Sequence, residues 1–157
     1  HRYIEHHVKN SGVDTIIHCA AKVGGVLANA QANTQFFEEN YQLSSNVIQA
    51  GSLLKVPQLI NMLSTCIFPH QNITYPLTAT QIEAGPPHPG NYGYAYAKRL
   101  SGYEVRTHRV ARGVRWLNVV PTNVYGTHDN FHLQDSHVIP GMIHRAVIAK
   151  RENKPFI

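Results

Sequence analysis

The sequence predicts an α/β domain built on a doubly wound parallel sheet. Short β-branched runs alternate with helix-length stretches along most of the 157 residues. The residues with chemical potential cluster just after three predicted strands, at Ala20–Gly25, Ser64–Cys66 and Pro121–Asn123. In such sheets ligands sit at the carboxyl ends of the strands. The composition, 43% hydrophobic and 15% charged, is that of one compact domain with a single core.

Taken in order, Ile4 and Val8 fall in a first helix that Gly12 would close, and Val13–Ala21 is a β-branched run suited to a buried parallel strand. Phe36, Leu43, Val47, Ala50 and Leu54 recur at helical spacing and predict one apolar stripe of a long helix, capped by Asn33 or Thr34. Pro57 ends it, and Gln58–Leu63 is the second strand. Between Ser64 and Asn91 the chain is rich in Pro, Thr and Gly, a long irregular stretch of the kind that is usually functional or disordered. A helix from about Tyr94 to Arg112 stops at Gly113, and Val114–Val120 is the third strand. A polar loop then leads to a helix from Val138, with a further strand beginning at Lys154–Ile157.

Fourteen Lys and Arg against nine Asp and Glu leave a net charge of +5, which suits an anionic ligand. The cations are scattered and no nucleic-acid-binding motif is present, so no nucleic-acid partner is expected. No apolar run approaches the roughly 18 residues of a membrane span. Cys19 and Cys66 do not form a Cys-x-x-Cys site, and a reducing, cytoplasmic setting is expected. His128, Asp129, His132 and His137 are close in sequence but lie in a loop-like stretch without the regular helical spacing of zinc ligands, so no metal is expected.

The segment Tyr92-Gly-Tyr-Ala-Tyr-Ala-Lys98 places Tyr94 and Lys98 one helical turn apart on one face. A nearby ammonium favours phenolate, so the spacing predicts a Tyr94 pKa pulled below its ordinary value of about 10. Such a group can exchange a proton with a carbonyl undergoing reduction. By pattern alone, this pair also reads as helix packing, Cys66 as a small buried thiol, His137 as a helix cap, Asn123 as a turn residue and Arg145 as a solvated helix charge.

Several runs together carry a resemblance: Ala20–Gly25, Leu63-Ser-Thr-Cys-Ile-Phe-Pro69, Gly85–His88, Tyr94–Lys98, Pro121-Thr-Asn-Val-Tyr-Gly126, His128–Phe131 and His137-Val-Ile-Pro140. These resemble the GDP-L-fucose synthases, extended short-chain dehydrogenases/reductases that act as 3,5-epimerase-4-reductases on GDP-4-keto-6-deoxy-D-mannose. The resemblance implies a Rossmann-like fold, with residues 1–157 as the central and C-terminal part of an NAD(P)-binding domain. It implies NADP(H) as cofactor, a GDP-sugar as substrate and a homodimer formed through the helices around Phe36–Leu54 and Tyr94–Arg112.

It also implies roles. Cys66 is the epimerisation base and His137 the acid, both of types that titrate near neutrality. Tyr94 protonates the new alcohol, Lys98 lowers the tyrosine pKa and holds the nicotinamide ribose, and Ser64 polarises the ketone. Met62, Leu63, Ser64, Thr65, Lys98, Pro121, Thr122, Asn123, Val124 and His137 line the cofactor, and Arg145 contacts the nucleotide-sugar.

The family's Gly-x-x-Gly-x-x-Gly turn, which binds pyrophosphate at a helix N-terminus, has no counterpart here. With its opening histidine and no C-terminal substrate portion, the chain reads as a fragment of the longer enzyme. Two alternatives stay open: a related nucleotide-sugar epimerase or dehydratase, and an inactive dimerisation or binding fragment of the same fold.

Overall fold

The computed structural model describes residues 12–155. Strand β1 is Thr15–His18, β2 is Gln58–Met62 and β3 is Arg115–Val119; they form a three-stranded parallel sheet in the order β1-β2-β3. The register aligns Ile16, Leu59 and Trp116 in one cross-strand row and Ile17, Ile60 and Leu117 in the next. Alternation along the strands sends these rows to opposite faces. Helices α1 (Val26–Gln31) and α2 (Asn33–Leu53) connect β1 to β2, α3 (Tyr92–Arg112) connects β2 to β3, and α4 (Val138–Arg151) follows.

Parallel strands in sequential order need crossovers of one hand, which lay α2 and α3 side by side on one face of the sheet. The core lies between them and that face: Ile48 of α2, Val105 of α3, Leu59 and Trp116, with Ile16 and Val114 packed against it. The Trp116 indole donates to the Val56 carbonyl across 3.0 Å, so the largest core side chain is satisfied as well as buried. On the other face Ile17 and Leu117 are exposed.

The long helices match expectation in extent and differ in detail. The predicted stripe on α2 holds at Phe36 and Ala50, while Leu43, Val47 and Leu54 are only half-buried. Asn40, Ser44, Ser45, Ile48, Gly51 and Ser52 complete the buried face, because α3 packs close enough to favour small and hydrogen-bonding residues. Asn33 does not cap α2; Ala32 does. The Asn33 side chain instead accepts from the Gly93 N–H (2.8 Å) and donates to the Pro89 carbonyl (3.3 Å), fixing the start of α3 against the start of α2. Gly93 permits that approach, since a Cβ there would lie 1.9 Å from the Asn33 carbonyl oxygen. Gly113 ends α3 in the left-handed conformation (φ 64°) and returns its N–H to Arg109, the stop its sequence position predicts.

Helix α1 was not expected from the sequence. It is short, and the Asn29 amide donates back to the Gly24 and Gly25 carbonyls at its start. The predicted helix around Ile4 and Val8 lies outside the described residues. Of the predicted final strand, Lys154 and Pro155 are irregular, and the remainder lies outside the described residues.

Candidate active site

Strand β2 delivers its last residues to the carboxyl edge of the sheet. The Leu63 N–H continues the ladder onto the Val119 carbonyl (2.8 Å), and the chain then leaves the sheet at Ser64. Ser64 caps a 3₁₀ turn, Thr65–Ile67, its hydroxyl accepting from the Cys66 N–H at 3.2 Å. Cys66 is thereby held two residues beyond Ser64, half-buried, as a free thiol.

Helix α3 brings Tyr94 and Lys98 to the same place. Lys98 is only 2% exposed; its Nζ donates to the Met62 carbonyl at 2.9 Å and lies 6.0 Å from the centre of the Tyr94 ring. Burial lowers the Lys98 pKa, partly offset by the neighbouring Cys19 thiol. Tyr94 is raised above its ordinary value, chiefly by burial and then by the Cys66 thiol, whose ionised form would repel a phenolate; a hydrogen bond with Ser64 works the other way. This corrects the expectation that Lys98 pulls the phenol down. Desolvation of the phenol decides the sign. A phenol that stays protonated near neutrality is the form able to give a proton to a nascent alkoxide.

Ser64, Cys66, Tyr94, Lys98 and Met62 thus converge at the end of β2. Leu63 is buried beneath them and Thr65 opens the turn. Pro121, Thr122, Asn123 and Val124 follow β3 along the same edge of the sheet, mostly exposed. His137 is the N-cap of α4, exposed and without a side-chain cap bond, and among the described residues no hydrogen bond links it to Cys66 or Tyr94. Its loop does reach the start of α1: a Cβ on Gly25 would lie 3.3 Å from the Ser136 carbonyl oxygen. Arg145, two turns into α4, is exposed and donates to the Leu133 carbonyl at 3.3 Å. Among the described residues no group of three His, Cys, Asp or Glu side chains is arranged to hold a metal ion.

Several supporting groups escaped sequence reasoning. His18, at the end of β1 and 3% exposed, bonds the Ser44 hydroxyl through Nε2 (3.1 Å). Burial, and secondarily the Lys98 charge, lower its pKa from 6.5 to about 4, so it stays neutral beside the ammonium. Ser101 Oγ donates to the Lys98 carbonyl (2.9 Å) and accepts from Asn61 Nδ2 (3.2 Å), which also bonds Asn118 Oδ1 (3.0 Å). The available signal was that Ser101 stands seven residues after Tyr94, on the same helical face. After β1, the Asn40 side chain accepts the Lys22 N–H (2.9 Å) and donates to the Lys22 carbonyl (3.0 Å), pinning that loop to α2.

A parallel α/β sheet with a Tyr–Lys pair, a serine and a thiol at its carboxyl edge defines a Rossmann-like domain with its candidate ligand site at the strand ends. The model of the NAD dependent epimerase/dehydratase family matches residues 2–156, and the chain belongs to that family. The GDP-L-fucose synthase of Dictyostelium discoideum is 45% identical over 139 residues, which cover 88% of this chain and 43% of that protein. That of Escherichia coli K12 is 35% identical over 144 residues, 91% of this chain and 44% of that one. Among solved structures, a GDP-L-fucose synthetase from Naegleria fowleri bound to NADP superposes with a TM-score of 0.85 at 34% identity, covering 98% of this chain and 50% of the other. The chain therefore spans less than half the length of these curated relatives.

Proposed function

We infer that the complete protein carrying this chain converts GDP-4-keto-6-deoxy-D-mannose to GDP-L-fucose by 3,5-epimerisation followed by NADPH-dependent reduction of the 4-ketone. The observation that carries this reading is the convergence of Cys66, Ser64 and Tyr94 at the end of β2, with Lys98 buried beside them. The ketone acidifies the protons on both neighbouring ring carbons. Cys66 is the base that removes them and His137 the acid that returns them from the other face. The Ser64 hydroxyl polarises the ketone, and Tyr94, held protonated by burial, gives its proton to the new alcohol.

NADPH, when bound, supplies the hydride. The donor set fits its nicotinamide end: Lys98 uses one of its three N–H donors on Met62, leaving two for ribose hydroxyls. Met62–Thr65 and Pro121–Val124 flank this position on the sheet edge, and Arg145 is assigned to the nucleotide-sugar. No glycine-rich turn for the pyrophosphate occurs in this chain.

The complete protein is a homodimer in this reading, through the exposed faces of α2 and α3. They enclose an apolar groove of about 460 Å³ lined by Phe37, Tyr92, Tyr96 and Leu100 among others. A cytoplasmic setting suits the free thiols Cys19 and Cys66, and no helix among the described residues is long and apolar enough to cross a membrane.

The decisive experiment is Cys66→Ser in the complete protein with the GDP-4-keto sugar in deuterated water. Loss of deuterium uptake with NADPH binding retained is the expected result. Uptake at the wild-type rate would remove Cys66 from the mechanism.

A further inference from the structure

Arg99 follows Lys98 in sequence and points elsewhere. It is 7% exposed, and no carboxylate pairs with it among the described residues. Its guanidinium is spent on backbone. Nε donates to the Ile67 carbonyl at 2.6 Å, Nη2 to the Gly85 carbonyl at 2.9 Å, and the group lies 5.3 Å from the centre of the Tyr96 ring. Burying a cation on carbonyls alone is costly unless its hydrogen bonds are short and its geometry is fixed, and a planar fork meets that condition with two directed donors.

The two carbonyls mark the ends of the irregular excursion after β2. Ile67 closes the turn that bears Cys66, and Gly85 lies on the returning limb, where the His70 N–H also reaches the Pro86 carbonyl (3.2 Å). One side chain of α3 therefore clamps both limbs to the helix that carries Tyr94 and Lys98. Ser64 depends on it less, because the preceding residue is still in the sheet ladder. Cys66 stands two residues further out, directly before the clamped carbonyl.

We propose that Arg99 is a positioning residue for Cys66: its bonds to Ile67 and Gly85 set the distance and direction of the thiol relative to Ser64 and Tyr94, and so support epimerisation selectively over ketone reduction. This rests on the epimerase-reductase reading. Without the fork, the Ile67 carbonyl is a buried acceptor left unpaired, and the turn must shift to satisfy it. Displacements of about 1 Å at a reacting group cost up to about 100-fold in rate.

The test uses the complete protein with Arg99→Lys, which keeps the charge and loses the fork, and Arg99→Gln, which keeps one donor for Ile67. Two readouts are taken. The first is alkylation of Cys66 by iodoacetamide, with Cys19 as internal reference. The second is deuterium uptake into the GDP-4-keto sugar, compared with NADPH oxidation on an already epimerised ketone. In Arg99→Lys the Cys66 alkylation rate changes at least about tenfold relative to Cys19, and deuterium uptake falls about tenfold or more while reduction stays within about threefold. Arg99→Gln lies between. Equal changes at both cysteines, or equal losses of uptake and reduction, would overturn the proposal by making Arg99 a general stabiliser. If the wild type shows no uptake at all, the proposed reaction fails, and the alkylation ratio still decides whether Arg99 positions Cys66.

Discussion

His18 offers a test of the buried site that requires no substrate. Its pKa falls from the ordinary 6.5 to about 4 because the ring is buried at the end of β1 and because the Lys98 ammonium is near. As pH falls, the unfolded chain therefore takes up this proton before the folded one does. The stability that neutral His18 confers is complete above 6.5 and is lost as pH falls from 6.5 towards 4. At 1.36 kcal/mol per pH unit the full loss is about 3.4 kcal/mol, of which about 2 kcal/mol falls between about pH 7.5 and about pH 5. His18→Gln keeps a hydrogen-bonding partner for Ser44 and does not titrate. Urea unfolding of wild type and variant at both pH values isolates the effect, since every other histidine is common to the two. The wild type is expected to lose about 2 kcal/mol more than the variant on acidification. Equal losses, within about 0.5 kcal/mol, would mean that His18 titrates normally and that the end of β1 is open to water around Lys98.

Three further outcomes follow from the packing and the site. Tyr94→Phe in the complete protein should slow NADPH oxidation by about 100-fold or more, with deuterium uptake into the sugar little changed, because in the proposed reaction only the reduction uses the phenol as acid. Trp116→Ala should cost about 3–5 kcal/mol in denaturant unfolding, since it empties the centre of the core and leaves the Val56 carbonyl without its donor. Asn40→Ala should cost about 1–3 kcal/mol and speed hydrogen exchange at the Lys22 amide, whose acceptor is the lost side chain, while leaving amides of β3 unaffected.

The sheet was legible because its signals are local. The Ile pair of β1 and the Leu-Ile pair of β2 follow Gly12 and Pro57, although the predicted Val13–Ala21 is strand only at Thr15–His18, and Gly113 sits where a left-handed stop serves. Helix α1 was not legible, since six residues are too few to show a period and its start is fixed by Asn29 bonding the Gly24 and Gly25 carbonyls, a contact without a spacing rule. The buried face of α2 was legible only in part for a different reason. Periodicity counts apolar residues, whereas Asn40, Ser44 and Ser45 are buried for their hydrogen bonds to Lys22, His18 and Glu104. Those partners are distant in sequence, so no window along α2 contains the information.

The same limit governs the site. Spacing correctly puts Tyr94 and Lys98 on one face of α3, and it says nothing about where the ammonium goes. That depends on the Met62 carbonyl at the end of β2, 36 residues away in sequence, and on how far the surrounding side chains exclude water. Burial of the phenol first, and the charge of Cys66 second, raise the pKa that the spacing rule would lower. The consequence is chemical. A Tyr–Lys pair read from sequence is a candidate acid or base, whereas this tyrosine, beside Ser64 and Cys66, is biased towards the acid, which agrees with the part the proposed reaction gives it.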